Sequence, residues 1–159
     1  MQASEAFLAL VADLNRHLGV STPPDEEGAI CLRFEDGIQL HLCDSGDDLF
    51  ALIGDTGIDL QPLSPAAALD LTCLCLQINF SAILSSRFAI GQSPDKTMVL
   101  TCSDHASRLN GRLVFDLIED LLDKTRILRQ MIEERIAAPF ASGPVGEHKP
   151  GSGSLQGYA

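Results

Sequence analysis

The sequence predicts an α+β fold in which a twisted antiparallel sheet packs against helices. Three observations carry this prediction. Three segments have helical length or period, five shorter segments read as strands, and the linear order of these elements is αβββαββα. Residues 1–137 form the predicted domain, and residues 138–159, which are rich in Gly, Ser and Pro, form a predicted flexible tail.

The first element is an amphipathic helix over the stretch "SEAFLALVADLNRHLG". Ser4 is placed to cap its N-terminus and Gly19 to end it. Its apolar stripe follows the spacing i, i+4, i+7 and i+11 and consists of Phe7, Val11, Leu14 and Leu18.

A β-hairpin follows in the stretch "ICLRFEDGIQLHLC", and its register can be predicted from the loop. A loop of only Asp36 and Gly37 pairs polar with apolar residues on every rung, whereas a loop of Glu35, Asp36 and Gly37 collects the apolar residues on one face. Gly37 then takes the left-handed position of the longer loop. The longer loop makes these pairs: Phe34 with Ile38, Leu32 with Leu40, Ile30 with Leu42, Cys31 with His41, and Arg33 with Gln39.

The stretch "DLFALIG" is predicted as a third strand and "DTGIDLQPL" as a loop. A second helix is then predicted over residues 64–84, with Ser64 as its cap and Pro65 in its first turn. This helix is apolar on two sides, so it must be covered on two sides, by the core and by a second copy of the chain. The two stripes are Leu69, Cys73, Leu76 and Phe80, and Leu71, Leu74, Cys75 and Ile78.

The last elements are two strands, "RFAIG" and "TMVLTC", around the turn "QSPDK", and a long helix. The helix is predicted from Ser107 to Ile136, and Pro139 follows its end. Its apolar stripe consists of Val114, Leu117, Ile118, Leu121, Leu128, Ile132 and Ile136.

The formal charge of −11 is unevenly distributed. Residues 1–60 carry twelve Asp and Glu against two Arg, whereas residues 61–159 carry ten against nine Lys and Arg. An acidic half disfavours nucleic acid and anionic membranes, and it attracts a basic or polar polypeptide. Apolar runs are too short to span a membrane, and the N-terminus does not read as a signal peptide, so a cytosolic protein is expected.

Few residues point to catalysis or metal binding. The hairpin register brings Cys31 across from His41, and Cys43 lies close along the chain, so a thiolate–imidazole pair or a metal site remains open. Against this, no third group is evident to orient His41. The "DTG" of residues 55–57 matches a short aspartic-protease motif, but a match of three residues is weak. A protein-binding surface accounts for the same residues.

Several stretches resemble class I type III secretion chaperones, the family that includes the Tir chaperone. They are the opening helix ending in "HLG", the hairpin "ICLRFEDGIQLHL", the run "LCLQIN" with Asn79 in the family's Asn position, and "RFAIG" followed by "TMVLTCSD". The long last helix completes the similarity, which covers about residues 3–137. The tail and the cysteines of the second helix depart from the family.

The resemblance implies a homodimer without enzyme activity or cofactor that binds the N-terminal region of a secreted effector in the bacterial cytosol. It implies dimer contacts from the second helix and the following strand, at Leu69, Cys73, Leu76, Phe80, Phe88 and Ile90. Effector contacts are expected on the first helix and the sheet, at Leu10, Leu18, Cys31, Arg33, His41, Cys43 and Phe50. Two alternatives stay open: a peptide-binding protein of this fold outside secretion, and a small Cys/His hydrolase or metal-binding domain.

Overall fold

The computed structural model of the chain describes residues 3–25, 28–80 and 87–137. The predicted order of elements is confirmed. The elements are α1 (Glu5–Leu18), β1 (Ala29–Arg33), β2 (Gln39–Gly46), β3 (Leu49–Asp59), α2 (Pro65–Phe80), β4 (Ala89–Gln92), β5 (Thr97–His105) and α3 (Gly111–Ala137). The predicted tail and the last residues predicted for the second helix lie outside the described ranges.

The five strands form one sheet in the order β1-β2-β3-β5-β4, and each neighbouring pair is antiparallel. Helix α3 packs against β3 and β5, α2 packs against β4, and α1 packs against α3, so apolar residues of all three helices join one core. The core lies between them, and its largest fully buried side chains are Phe7, Phe50, Ile38, Leu40, Leu42, Leu52, Leu100, Leu121 and Ile132.

The predicted hairpin register is confirmed. Cys31 pairs with His41 and Leu32 with Leu40, and the Phe34 N–H donates to the Ile38 carbonyl at 3.0 Å. Gly37 has a φ of 81°, the left-handed conformation that a three-residue loop requires at this position. The sequence alternation therefore sends one side of the hairpin into the core and leaves the other side for a second surface.

Both predicted ends of α1 are confirmed. The Ser4 hydroxyl accepts a hydrogen bond from the Phe7 N–H, and Gly19 ends the helix in the left-handed conformation. The last helix begins later than predicted, because residues 106–108 form a separate 3₁₀ turn. Asp13 of α1 then accepts the Gly111 N–H at 2.5 Å, so a carboxylate of the first helix occupies the N-terminus of α3.

The third strand is longer than predicted, because it continues through the stretch "DTGID". Thr56 is fully buried there, and its hydroxyl donates to the Met98 carbonyl at 2.8 Å. The pairing of β3 with β5 shifts between Asp55 and Asp59, where Gly57 has a positive φ. The strand thus carries a β-bulge, and the polar turn-forming residues that indicated a loop accommodate the bulge instead.

Gly54 sets how closely α3 approaches the sheet. A Cβ at this position overlaps the hydroxyl of Thr125, a fully buried residue of α3, and approaches Leu40 to 3.2 Å. We therefore expect Gly54→Ala to lower the free energy of unfolding by about 1–3 kcal/mol in a urea titration. Gly91→Ala is the matched control, because a Cβ there meets only Val99, at 3.9 Å, and an equal loss in both variants contradicts the assignment.

Candidate functional site

Helix α2 carries the two apolar stripes that its sequence predicts. One faces the core, where Leu71, Cys75 and Ile78 are buried. The other is exposed and is called the outer row, which consists of Leu69, Cys73, Leu76 and Phe80. The exposed fractions of its large side chains are 65% for Leu69, 52% for Leu76 and 89% for Phe80. A contiguous exposed apolar patch of this kind marks a protein-interaction surface.

Two residues expected at the dimer interface belong to the core instead. Phe88 is buried, and the Lys124 ammonium lies 4.9 Å from the centre of its ring. Ile90 is buried between α2 and the sheet. Both follow the second helix in sequence, but the inward side of β4 faces α2 of the same chain, so neither side chain is available to a second copy.

Asn79 fastens α2 to the edge of the sheet. Its side-chain amide donates to the Ile90 carbonyl at 3.0 Å and accepts from the Ile90 N–H at 2.7 Å. These are the backbone groups that an edge strand presents to a further strand, so Asn79 occupies this part of the β4 edge. Asn79 therefore has a structural role in joining α2 to β4.

We expect Asn79→Leu to lower the free energy of unfolding by about 1–3 kcal/mol, because both Ile90 backbone groups lose their partner. Gln77→Leu is the control, since Gln77 is an exposed residue of the same helix. Chemical denaturation followed by circular dichroism measures both. Equal stability of the Asn79 variant and the unmodified chain contradicts the role given to this amide.

The sheet has a second face that the three helices leave uncovered, called the open face. The strand pairing places Cys31, His41, Ile53, Thr101 and Ala89 along one rung of it. Next to this rung lies a shallow depression with a volume of about 330 Å³. The depression is lined by Ala51, Ile53, Arg87, Ala89, Thr101, Cys102 and Ser103.

Four of the predicted effector-contact residues lie on the open face: Cys31 and Arg33 are exposed, and His41 and Cys43 are half-buried. Sequence reasoning missed the other half of this face, Ala51 and Ile53 of β3 and their neighbours on β4 and β5. The alternation of β3 separates Ala51 and Ile53 from Phe50 and Leu52, but the choice of which pair faces outward depends on the pairing of β3 with β2.

Two predicted effector contacts are wrong. Leu10 and Phe50 are buried core residues, with exposed fractions of 3% and 0%. Leu10 lies beside the predicted stripe residues Phe7 and Val11 and is buried with them. Phe50 lies on the same side of β3 as Leu52, and this side faces the helices. Leu18 is half-buried and packs against the core at the end of α1.

Strand β1 forms the other edge of the sheet. Its first residue, Ala29, is bound by Asp25, which accepts the Ala29 N–H and donates its own N–H to the Ala29 carbonyl, both at 2.8 Å. The antiparallel alternation then directs the backbone groups of Cys31 and Arg33 outward. Cys31 and Arg33 therefore present outward backbone groups along this edge, beside the open face.

The hairpin that presents this edge is held by α3. Arg126 Nε lies 2.6 Å from the Asp36 carboxylate, and Arg129 donates to the Asp36 carbonyl at 3.0 Å. The hydrogen bond from Arg126 lowers the pKa of the Asp36 carboxyl, which favours the ionised form that accepts this bond. The two arginines lie one turn apart and fix the position of the hairpin loop relative to α3.

The geometry gives little support to the alternative of a metal or thiol site on the hairpin. Among residues 3–25, 28–80 and 87–137, no group of three or more His, Cys, Asp and Glu is placed to hold a metal ion. Cys31 and His41 do pair across the hairpin, but the Cys31 thiol is directed to the Gln39 amide oxygen, 3.7 Å away. Metal analysis of the purified chain beside Cys31→Ser and His41→Ala tests this alternative directly.

The remaining cysteines differ in exposure. Cys102 is buried in the sheet, and this burial raises the pKa of its thiol to about 11. Burial also raises the pKa of the Cys75 thiol on the core side of α2. Of the cysteines on α2, Cys73 is therefore the one available for thiol chemistry.

Within the described part of the chain, no helix combines the length and the apolar character needed to cross a bilayer. No family model and no curated protein matches the sequence. Solved structures do match the fold, and three of them are informative about it.

The first is the Yersinia pestis type III secretion chaperone SycH, in complex with a stable fragment of YscM2 (TM-score 0.59, 17% identity, covering 77% of this chain and 98% of that chain). The second belongs to the HopA1–SchA chaperone–effector complex (TM-score 0.60, 18% identity, 81% and 99%). The third is an uncharacterized protein from Methanothermobacter thermautotrophicus (TM-score 0.50, 13% identity, 81% and 98%). The chain therefore has the fold of type III secretion chaperones.

Proposed function

We propose that the chain is a type III secretion chaperone, which binds the N-terminal chaperone-binding segment of a secreted effector in the bacterial cytosol and keeps it competent for export. It acts by binding alone, as a homodimer, without catalysis and without a cofactor. The observation that supports this most is the combination of the chaperone fold with a sheet that leaves one face and one short edge open to a polypeptide.

The open face suits an extended guest. Its centre is made of apolar and small side chains, so alternate residues of an extended segment can pack on it, while the outward backbone groups of Cys31 and Arg33 can pair with the segment's own backbone. The acidic residues of the N-terminal half favour a guest with basic residues beside its apolar ones.

The homodimer explains the outer row of α2. The row exposes three large apolar side chains next to one another, Leu69, Leu76 and Phe80. A second copy that covers them removes this apolar area from water, which is favourable. The interface proposed here keeps Leu69, Cys73, Leu76 and Phe80 and leaves out the two buried residues of the strand region.

Co-expression tests the proposed function. The tagged chain is co-expressed with the N-terminal segment of a secreted protein encoded beside its gene, and retention of the segment is measured after affinity purification. We expect retention, and we expect Ile53→Asp, in the open face, to abolish it because an unpaired charge is buried under the guest. Leu113→Asp is the control, since Leu113 is an exposed leucine of α3 that is not among the residues lining the open-face depression.

The same assay tests the proposed domain boundary. A chain that ends at residue 137 contains every described surface and is expected to retain the segment as well as the full chain does. A folded, full-length chain that retains no N-terminal segment counts against the chaperone function. Retention that Ile53→Asp and Leu113→Asp leave equally intact counts against the open face.

A second candidate is a peptide-binding protein of the same fold that acts outside secretion. This candidate is supported by the similarity to the Methanothermobacter protein, which shares the fold and is described only as uncharacterized. The identity of the captured segment separates the two candidates. An N-terminal segment that directs export supports the chaperone, and an internal segment of a protein that is not exported supports the alternative.

A further inference from the structure

The depression on the open face differs in charge from the rest of the chain. The chain carries 22 Asp and Glu against 11 Lys and Arg, but the residues that line the depression include no carboxylate and one cation, Arg87. Arg87 is exposed, and within the described part of the chain it forms no ion pair. Asp55 also lies on the open face, but it is four residues along β3 from Ala51, about 13 Å at the rise of a strand.

Other carboxylates near Arg87 lie outside the depression. Three of them line a separate cleft on the α3 side of Arg87, and they belong to Asp104, Asp116 and Asp120. This cleft has its own cations, because Lys124 binds Asp120 and Arg108 lines the cleft as well. None of the three carboxylates is among the residues that line the depression, so the positive charge of Arg87 is not countered there.

The charge of Arg87 acts on the depression itself. Cys102 lines the depression, and burial is the main cause that raises the pKa of its thiol to about 11. The positive charge of Arg87 opposes this rise, because it favours the thiolate, whereas the charge of Asp104 adds to the rise. A carboxylate placed in the depression comes under the same attraction from Arg87.

We propose that the depression is a subsite for an acidic residue of the guest polypeptide, an aspartate or glutamate whose carboxylate is bound by Arg87. This subsite rests on the proposed function and deepens it, because it defines the chemistry that the open face selects in a guest. The planar guanidinium donates two parallel N–H groups to one carboxylate. The Ser103 hydroxyl lines the same depression and can donate a further hydrogen bond.

The remaining walls of the depression favour an acidic residue within a peptide over a free anion. Ala51, Ile53 and Ala89 provide apolar contacts for the methylene groups of the acidic side chain and for its neighbours in the guest. An inorganic anion such as phosphate makes no use of these contacts. The basic residues that the overall charge of the chain favours then belong to other positions of the guest.

Selection from a peptide library tests the subsite without a known effector. A phage-displayed library of short random peptides is selected on the immobilised full chain. Peptides that also bind Ile53→Asp are removed, because a carboxylate at position 53 occupies Arg87 and repels an acidic guest. We expect the remaining peptides to be enriched in Asp and Glu beside apolar residues, and we expect this enrichment to disappear in a parallel selection on Arg87→Gln.

Arg112→Gln is the matched control. Arg112 is exposed like Arg87, but it lies at the start of α3, beside the end of α1, so the substitution removes the same charge away from the open face. A selection on Arg112→Gln is expected to keep the enrichment in acidic residues. Arg87→Lys is expected to keep part of it, because lysine retains the charge but not the paired N–H groups.

The affinity of one selected peptide shows whether its acidic residue meets Arg87. Changing that residue to its amide is expected to weaken binding about tenfold in fluorescence anisotropy, and Arg87→Gln is expected to weaken it by a similar factor. The two changes together are expected to weaken binding little more than either alone, because each removes the same contact. Independent, multiplying effects contradict the contact between them.

The subsite and the chaperone function fail in different ways. Peptides without a preference for acidic residues, an equal preference on Arg87→Gln, or no peptide sensitive to Ile53→Asp each overturn the subsite. A chain that selects acidic peptides through Arg87 but retains no secreted segment keeps the subsite and loses the chaperone function. A chain that retains a secreted segment equally well after every Asp and Glu of that segment becomes an amide keeps the function and loses the subsite.

Discussion

Replacing Phe50 with alanine is expected to lower the free energy of unfolding by about 3–5 kcal/mol. Phe50 is fully buried on the helix-facing side of β3, so the substitution leaves a cavity that the packed strands and helices cannot fill by small movements. A loss of this size is a large part of the total stability of a small domain. Urea denaturation monitored by circular dichroism measures it.

The matched control is Ile53→Ala on the same strand. Ile53 lies on the open face and is half-buried, so its truncation is expected to cost about 1 kcal/mol or less. The two variants are expected to separate in binding as well, because Ile53→Ala weakens retention of the guest segment without unfolding the chain. A Phe50→Ala protein that keeps the stability of the unmodified chain contradicts the position of Phe50 in the core.

Leu76→Glu is expected to convert the dimer into a monomer. In the proposed homodimer a second copy covers the outer row, so a glutamate at position 76 is buried in the interface without a partner. The expected loss of about 3 kcal/mol or more corresponds to a rise of about 100-fold or more in the dissociation constant. Sedimentation velocity over a concentration series measures this change.

Leu8→Glu provides the comparison for that measurement. Leu8 is an exposed leucine of α1 and belongs to neither proposed surface, so this variant is expected to remain dimeric. The helix content of both variants should equal that of the unmodified chain, because both side chains point into solvent in the isolated subunit. If Leu76→Glu sediments as a dimer, the outer row is not the interface.

Features set by local spacing could be predicted from the sequence. The caps of α1, the loop of the first hairpin and the two stripes of α2 each depend on residues a few positions apart. The hairpin loop is an example. The position of Gly37 favoured the three-residue loop, this loop determined which side of the hairpin faces the core, and the structure has the predicted register. The α+β class followed from the order of these elements.

Features set by long-range pairing could not be predicted in the same way. The inward direction of Phe50 depends on the register of β3 with β2, and a register shift between Asp44 and Gly46 hides that register from a reader of the sequence. The bulge at Gly57 likewise has the composition of a loop. Leu10 was misplaced for a different reason, because the stripe of α1 is wider than a single row and includes the position beside Val11.

The roles of Asn79 and Gly54 also emerge only in three dimensions. Each acts on an element distant in sequence, Asn79 on β4 and Gly54 on α3, and neither stands out within its own helix or strand. The two stripes of α2 were predictable from the sequence, and the structure adds which of them is exposed, because the stripe of Leu71, Cys75 and Ile78 packs in the core.

The amide of Asn79 also bears on how many strands the sheet can accept. A sheet with two free edges can be extended at both ends, and neighbouring copies can then join into an open-ended assembly. Here the β4 edge is occupied at Ile90 from within the chain, and Asp25 covers the start of the β1 edge, which leaves the short stretch at Cys31 and Arg33. Among the described residues, Asn79 therefore blocks strand addition at Ile90, whereas the β1 edge at Cys31 and Arg33 can accept a guest strand.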